Sequence, residues 1–231
     1  MSSIICLAGL SNTGKSTSMK YLDPSSTFII SCTNKQLQIP GFRKKYPKFA
    51  IEDKKPVGNW YVSNSYENIE KILNIVSKMR SDIKTIVIDD INYCMSAEIM
   101  NNALVKGYEK FSLQAKNYYD LLIQAQELRD DLTVVIISHI INDGTDMEPS
   151  WKLYSSGKML DKTVNLDGLF SYIIYSERSV DDSGEVIYRF KTRTDGNDTC
   201  RSIAGCFEEK YVEPNLKMII DTINKFENEE D

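Results

Sequence analysis

Four residues near the N-terminus have the types and the spacing needed to bind phosphate: Gly9, Gly14, Lys15 and Ser16. They fill the pattern G-x-x-x-x-G-K-[ST], in which loop amides surround an anion, the lysine reaches the β and γ phosphates and the hydroxyl binds Mg²⁺. The full set of phosphate-binding positions predicted by this pattern is Gly9, Ser11, Asn12, Thr13, Gly14, Lys15, Ser16 and Thr17. The pattern also requires a strand before the loop and a helix after it, which residues 4–8 and 15–22 predict. The sequence therefore predicts nucleotide binding.

Two carboxylates follow a second apolar run. Residues 84–90 read K-T-I-V-I-D-D, which is typical of a central parallel strand that ends at a functional edge in Asp89 and Asp90. In a nucleotide-binding protein, Asp89 would hold Mg²⁺ directly or through water, and Asp90 would orient or deprotonate the attacking water. The other interpretation is an acidic turn that ends the strand. We favour the metal role for Asp89 and leave both interpretations open for Asp90.

A third apolar run ends in a histidine. Residues 132–138 predict a doubly buried strand, which delivers Ser138 and His139 to the same sheet edge as Asp89 if the strands are parallel. His139 is the one histidine of the chain, and a structural role for it stays open. At this edge it is also placed to sense a γ-phosphate, so the predicted catalytic group is Lys15, Asp90 and His139.

Length and composition favour one soluble domain. The 231 residues fit a single α/β domain over residues 1–226, followed by an acidic tail, 227–231, that is predicted to be disordered. No apolar run approaches the ~20 residues that span a bilayer, and no basic segment of a signal peptide precedes the first strand. A cytoplasmic protein without a membrane segment is expected. The five cysteines occur singly without a C-x-x-C pair, which predicts reduced, buried thiols, and the single histidine excludes a multi-histidine metal centre.

The other elements follow from hydrophobic spacing. Residues 27–32 predict a strand, and residues 94–129 predict two helices broken near Gly107. Residues 169–176 and 185–191 predict a β-hairpin around the turn 181–184, and Pro214 begins a last helix. A helix over residues 66–80 has a core-facing stripe of Ile69, Ile72, Leu73, Val76 and Met79. The predicted buried stripe of the second helix in 94–129 is Leu113, Leu121, Leu122, Ala125 and Leu128.

Two polar segments are candidates for nucleic-acid contact. The net charge of −5 argues against general polyanion binding, so such a surface must be a local patch. Segment 33–63 alternates basic and aromatic residues, which suits a surface that follows a backbone and stacks bases; a solvated loop held by a few aromatic side chains is the commoner explanation. Segment 142–162 is rich in turn formers and contains Trp151. The predicted DNA contacts are Arg43, Lys44, Lys45, Lys48, Trp151, Lys152 and Lys158.

Three further cations follow the hairpin: Lys191, Arg193 and Arg201. They are either ordinary surface charges or trans contacts that complete a nucleotide site on a neighbouring subunit. The spacing does not distinguish these two roles.

Taken in order, the loop at 9–16, the Ile-Asp-Asp at 88–90, the Ile-Ser-His at 137–139 and the late hairpin resemble the RecA-like branch of P-loop ATPases. More narrowly, they resemble the compact single-domain RecA-type ATPases of bacteriophages, some of which are assigned as single-strand annealing proteins. The resemblance covers nearly the whole chain, and its sharpest motif is the first. It implies a mostly parallel sheet with a central P-loop strand and flanking helices, Mg-ATP between strands one and three, and a homo-oligomeric ring or filament. It further implies that the loops after the strands at 84–90 and 132–138 face DNA. By the same resemblance, Lys191 or Arg193 reaches a neighbour's ATP.

The chain departs from this family at one position. RecA-like enzymes commonly place a catalytic glutamate after the strand that follows the first helix, whereas residues 28–32 lead here into Thr33, Asn34 and Lys35. Either Asp90 replaces it, as the second acid does in AAA-type ATPases, or turnover is slow and ATP acts mainly as an assembly switch.

The expected function is that of an ATPase acting on single-stranded DNA in phage-type recombination, annealing or replication, in the cytoplasm of a bacterial host. A small-molecule phosphotransferase is an alternative, although segment 142–162 contains no arginine for the lid that such enzymes use. A regulatory switch that binds ATP without hydrolysis is a third.

Overall fold

The computed structural model describes residues 2–107, 109–155 and 165–228. The strands within these ranges are β1 (Ser3–Ala8), β2 (Thr27–Ser31), β3 (Ala50–Glu52), β4 (Lys55–Val57), β5 (Trp60–Val62), β6 (Thr85–Asp89), β7 (Thr133–Ser138), β8 (Ile140–Asn142), β9 (Trp151–Leu153), β10 (Tyr172–Val180), β11 (Val186–Lys191) and β12 (Tyr211–Val212). The helices are α1 (Phe42–Lys45), α2 (Tyr66–Met79), α3 (Asn92–Asn101), α4 (Glu109–Gln126) and α5 (Leu216–Asn228), with 3₁₀ helices at Ser16–Tyr21 and Leu166–Leu169.

A mostly parallel sheet organises the chain. Its order is β12-β11-β10-β1-β7-β6-β2-β5, and the neighbours from β10 to β5 pair in parallel, whereas β11 and β12 are antiparallel additions at one edge. The β-branched runs that predicted β2, β6 and β7 are buried throughout, as expected for strands covered on both faces. The predicted α/β class with a mostly parallel central sheet is confirmed.

The strands of the sheet end together. Ala8 pairs with Ser138, and Ser31 pairs with Asp89, so β1, β7, β6 and β2 finish at a common edge. The strand β7 lies between β1 and β6. Residues that follow these four strands are therefore neighbours in space although they are far apart in the sequence, as the carboxyl ends of parallel strands require.

Helices cover both faces of the sheet. The core on one face includes Ile69 and Leu73 of α2 and Leu122 of α4. The core on the other face includes Met19 of the first 3₁₀ helix and Ile219 of α5. Alternate residues of β1 contribute to the two faces, as the strand period of two dictates. The five cysteines are buried and free, as predicted.

The predicted first helix is shorter than expected. Residues 15–22 were expected to be helical, but only a 3₁₀ helix forms at Ser16–Tyr21. The Ser18 hydroxyl donates to the Lys15 carbonyl at 2.6 Å, which is the local side-chain competition that disfavours a regular helix start. Pro24 and the start of β2 at Thr27 then leave no room for extension.

Two residues that were predicted to face the core are exposed. Met79 is 53% exposed because it is the last residue of α2, and Ile83 returns the chain to the core. Leu113 is 50% exposed, since the buried face of α4 runs through Gln114 and Tyr118, about 100° around the helix from it. The break near Gly107 is confirmed, because α3 ends before it and α4 begins after it.

Segment 33–63 contains more structure than its sequence suggested. It forms α1, the β3–β4 hairpin and the edge strand β5, whose three residues are too few to show an alternating pattern. Phe42 and Tyr46 are buried, Trp60 packs edge-on against Phe42, and Phe49 packs against Phe28. These aromatic side chains hold the segment on the core, so they are not free to stack bases.

The later predictions agree with the structure more closely. The hairpin is confirmed as β10 and β11, with Val180 opposite Val186 and Gly184 in the turn at a φ of +85°. The last helix is confirmed as α5. Of the predicted disordered tail, Glu227 and Asn228 belong to α5, and residues 229–231 lie outside the described ranges. None of the described helices is long and apolar enough to cross a membrane.

Candidate functional site

The predicted phosphate loop, residues 9–17, depends on two glycines. A Cβ at Gly9 would lie 2.5 Å from the carbonyl oxygen of Ser176, so the loop passes too close to β10 for any side chain there. Gly14 has a φ of +96°, which favours glycine. The Ser176 hydroxyl donates to the Thr13 carbonyl at 2.6 Å, and the Thr13 hydroxyl donates to the Leu10 carbonyl at 2.8 Å. The loop is therefore held in shape by its own polar groups and by β10.

Lys15 points back into this loop. Its ammonium donates to the carbonyls of Gly9 at 2.9 Å and Leu10 at 2.7 Å, and the residue is only 6% exposed. Burial lowers the pKa of Lys15 to about 8, although Asp90 and Asp89 partly offset the effect. A buried ammonium whose partners are neutral carbonyls is poised to pair with an anion.

Ser16 and Asp89 meet below the loop. The Ser16 hydroxyl donates to Asp89 Oδ1 at 2.9 Å, and Asp89 is 1% exposed. Burial and then the neighbouring Asp90 raise the pKa of Asp89 to about 6. Asp89 Oδ2 is buried without a hydrogen-bond partner in the part of the chain that the structure describes. An unpaired carboxylate oxygen beside a hydroxyl matches the hard oxygen ligands that Mg²⁺ prefers, so these two residues fit the predicted metal role.

Asp90 has a different environment although it follows directly in the chain. It is 3% exposed and adopts a φ of +61°, which is uncommon for a residue with a side chain. Lys35 forms an ion pair with Asp90 Oδ2, and His139 Nε2 lies 3.5 Å from Asp90 Oδ1. Burial raises the pKa of Asp90, but the hydrogen bonds from His139 and Lys35 outweigh burial and lower it to about 2.

Asn92 fixes the position of His139. Its Oδ1 accepts from the backbone amide of His139 at 2.7 Å and from the Ser138 hydroxyl at 3.1 Å, while its Nδ2 donates to the Tyr154 carbonyl at 3.1 Å. Sequence analysis missed Asn92, because an asparagine just after a strand has no distinguishing signal. It named Lys35 at the strand end that lacks the family's glutamate but assigned it no role in the site.

These groups surround one cavity of about 230 Å³. Its lining residues are Ser11, Asn12, Thr13, Gly14, Lys15, Ser16, Thr17, Lys35, Gln36, Leu37, Gln38, Asp90, Tyr93 and His139. The structure thus brings together the predicted phosphate loop and the predicted catalytic residues, with Asp89 reaching Ser16 from the sheet side.

A second cavity, of about 300 Å³, adjoins the first along the phosphate loop. Both cavities are lined by Asn12, Gly14, Thr17 and Gln38, and the second also contains Tyr21 and Tyr188. Tyr188 lies over the phosphate loop, since a Cβ at Gly14 would lie 3.4 Å from its ring, and it is 42% exposed. An aromatic face is thus open beside a phosphate-sized cavity.

The three cations after the hairpin do not share one environment. Lys191 is 3% exposed and forms ion pairs with Asp195 and Asp198 of its own chain, so it is enclosed and cannot reach a neighbouring subunit from this position. Arg193 is exposed and donates to the Glu208 carbonyl at 2.8 Å. Arg201 donates to the Asp167 carbonyl. The trans role predicted for Lys191 is therefore wrong for this conformation.

The predicted DNA contacts also separate into groups. Arg43, Lys44 and Lys45 of α1, together with Lys48, are exposed. Trp151 is half-buried and packs on the core, and the Lys152 ammonium lies 2.9 Å from an Asp143 carboxylate oxygen. Lys158 lies outside the described residues.

Among the described residues, no group of three or more His, Cys, Asp or Glu side chains could hold a metal ion. A nucleotide-bound Mg²⁺ needs only one or two protein ligands, because phosphates and water supply the others. No protein-family model matches this sequence, and no curated protein matches it.

Proposed function

We propose that this protein is a P-loop nucleotide-binding protein of the RecA-like branch and that it binds Mg-ATP in the cavity above residues 9–17. The observation that carries the proposal is the contact between Ser16 and Asp89, whose free carboxylate oxygen is buried below the loop. Hydroxyl and carboxylate oxygens at this spot are the ligands that the motif requires for Mg²⁺. If the contact between Ser16 and Asp89 were only structural, nothing would explain why the other charged oxygen of Asp89 is buried without a partner.

Different residues of the chain bind different parts of the nucleotide and its Mg²⁺. Lys15 and the loop amides neutralise and orient the β and γ phosphates. Ser16 and Asp89 would hold Mg²⁺, which neutralises phosphate charge when it is bound. Asp90 and His139 lie across the cavity, where they face the terminal phosphate and the water that attacks it. The base of the nucleotide extends into the second cavity and stacks on Tyr188, whose ring lies beside Gly14.

Hydrolysis is slow as long as Asp90 keeps both of its partners. Both carboxylate oxygens of Asp90 face a partner, Lys35 on one side and His139 on the other, so neither is free to accept a proton from water. This same observation favours a second candidate, a switch in which bound ATP orders the chain for a partner without turnover.

Single-stranded DNA and further copies of the chain are the proposed partners, with recombination, annealing or replication in a bacterial host as the setting. The support for DNA is the group of exposed cations on α1 together with Lys48. Phosphate contacts of this kind are tolerant of sequence and sensitive to salt. The support for a ring or filament is the family resemblance, and the exposed Arg193 is the cation proposed for the trans role.

The test is ATP binding and turnover, measured with and without a short single-stranded oligonucleotide, for the wild type and Lys15→Ala. We expect wild-type binding, slow turnover that DNA increases, and loss of both in Lys15→Ala. Binding without turnover under any condition would select the switch. Release of ADP that depends on a nucleoside monophosphate would select a phosphotransferase, and absence of binding would refute the nucleotide site.

A further inference from the structure

Lys35 both lines the cavity above residues 9–17 and forms an ion pair with Asp90. It follows β2 at the edge where β1, β6 and β7 end, and it shares this cavity with Lys15. Its ammonium pairs with Asp90 and lies 5.8 Å from the centre of the Tyr93 ring. In the RecA-like pattern, this is the strand end that carries a carboxylate. A cation here must act differently from the residue that it replaces.

The pair between Lys35 and Asp90 is asymmetric. The Lys35 side chain is 55% exposed, whereas the Asp90 side chain is 4% exposed and fixed between Lys35 and His139. A lysine head group on a long flexible stem can change partners without backbone movement, but the buried carboxylate cannot follow it. Lys35 is therefore the partner that can move.

The charges of the cavity indicate where Lys35 would move. Lys15 and Lys35 place two ammonium groups on one cavity, and Asp90 is the carboxylate among its lining residues. A terminal phosphate carries more negative charge than a carboxylate and presents several acceptor oxygens. When a triphosphate fills the cavity, its last phosphate competes with Asp90 for the Lys35 ammonium.

We propose that Lys35 is the residue that distinguishes a triphosphate from a diphosphate, by transferring its ion pair from Asp90 to the terminal phosphate. The transfer frees Asp90 Oδ2 at the moment when a γ-phosphate is present. With a diphosphate, Lys35 stays on Asp90 and the carboxylate stays blocked. The ion pair with Lys35 therefore determines whether Asp90 Oδ2 is blocked or free. This inference rests on the proposed nucleotide site and adds a mechanism for reading the nucleotide's state.

A purely structural role for Lys35 predicts something different. If its ion pair only stabilised the turn at Asp90, replacing Lys35 would lower thermal stability and weaken ATP and ADP binding by the same factor. Transfer to the terminal phosphate predicts a selective loss of ATP affinity. The ratio of the two dissociation constants therefore separates the roles.

The experiment measures ATP and ADP binding, with Mg²⁺, to the wild type and Lys35→Met. We expect ATP to bind about tenfold more weakly to Lys35→Met and ADP to change less than twofold, because a charge-assisted hydrogen bond to one phosphate is lost. Lys84→Met is the matched control, since Lys84 is 53% exposed and pairs with Asp131 at the opposite end of the strands. It should change neither affinity.

Asp90→Asn tests the exchange itself. Removing the competing carboxylate should tighten ATP binding more when Lys35 is present than in the Lys35→Met background, where only the repulsion between Asp90 and the phosphates is lost. An equal change in both backgrounds, a loss of ATP affinity in the Lys35 background, or equal losses of ATP and ADP affinity in Lys35→Met would overturn the proposal. If the proposed nucleotide site itself were wrong, the wild type would bind neither ATP nor ADP, and this result differs from every outcome above.

Discussion

The Ser16 hydroxyl donates to the Asp89 carboxylate at 2.9 Å across 73 residues of sequence. This contact joins the phosphate loop to the strand end at β6, although β7 separates β6 from β1 in the sheet. The remaining Asp89 oxygen has no partner in the described chain, which leaves it available to the proposed Mg²⁺.

Lys15→Ala should abolish measurable ATP binding, weakening it by about 100-fold or more, because a buried charge-assisted contact to two phosphates is lost. The melting temperature should not fall, since burying the lysine charge costs free energy in the unliganded protein. Isothermal titration and thermal melting measure the two effects. Lys78→Ala, which replaces an exposed lysine on α2 that lines neither cavity, is the control and should bind normally. Equal binding by both variants would contradict the assignment.

Phosphate affinity should fall as pH rises above about 8. Burial lowers the pKa of Lys15 to about 8, so the free protein loses this charge above that pH, and anion binding must then take up a proton. Burial lowers the pKa of Lys35, but its pairing with Asp90 outweighs burial and raises it, so Lys35 stays charged in this window. ADP affinity measured from pH 7 to 9 should drop by roughly tenfold at the upper end. A flat profile would contradict the role of Lys15.

Asp89→Asn should have opposite effects on binding and on stability. Burial and Asp90 raise the folded-state pKa of Asp89 to about 6, above its value in the unfolded chain. The charged carboxylate therefore lowers the free energy of unfolding of the unliganded protein above pH 6, and this loss disappears as pH falls to the unfolded-state pKa. The neutral amide of the variant removes the penalty, so the free energy of unfolding at pH 7 should rise by on the order of 2 kcal/mol. The gain in ATP affinity on adding Mg²⁺ should vanish. Lower stability together with intact Mg²⁺ dependence would refute the metal role.

Much of this site was predictable from sequence because its residues follow β-branched strands. Asp89, Asp90 and His139 end runs that could only be central strands, and parallel strands bring their ends to one edge. Lys35 was not predictable as a site residue, because its importance depends on contact with Asp90 rather than on any local pattern. Similarly, Lys191 looked like an exposed cation, and only the fold encloses it with Asp195 and Asp198.

Prediction from the sequence also failed at particular positions of the helices. The stripe of α2 was right at Ile69 and Leu73 and wrong at Met79, because periodicity does not mark where a helix stops covering the sheet. Basic residues beside Phe42 and Tyr46 suggested base stacking, yet those rings are buried. Composition cannot tell an aromatic side chain that stacks on a ligand from one that holds a loop on the core.

Tyr188→Ala should weaken ATP binding by about tenfold and leave tripolyphosphate binding unchanged, since stacking on one base is worth ~1–3 kcal/mol. Tyr188→Phe should bind ATP normally because the aromatic face is kept. Val186→Ala, at an exposed position near the tip of the same strand, is the control for hairpin stability. Competition assays with the two ligands measure the difference. Equal losses of affinity for ATP and tripolyphosphate would mean that the base lies elsewhere and that Tyr188→Ala disturbs the phosphate loop as a whole.

The basic face of α1 gives the last prediction. Replacing Arg43, Lys44 and Lys45 with alanine should weaken binding of a single-stranded oligonucleotide, because exposed cations on one short helix contact the phosphate backbone. If all three make phosphate contacts, the slope of log affinity against log salt should become shallower by about 2, at ~0.7 per contact on a single strand. The control removes the same charge from other helices, at Lys71, Lys116 and Lys217, which pair with neighbouring acids. ATP binding should be normal in both triple variants. An unchanged salt slope in the α1 variant, or the same loss in the control, would mean that α1 is not the DNA surface.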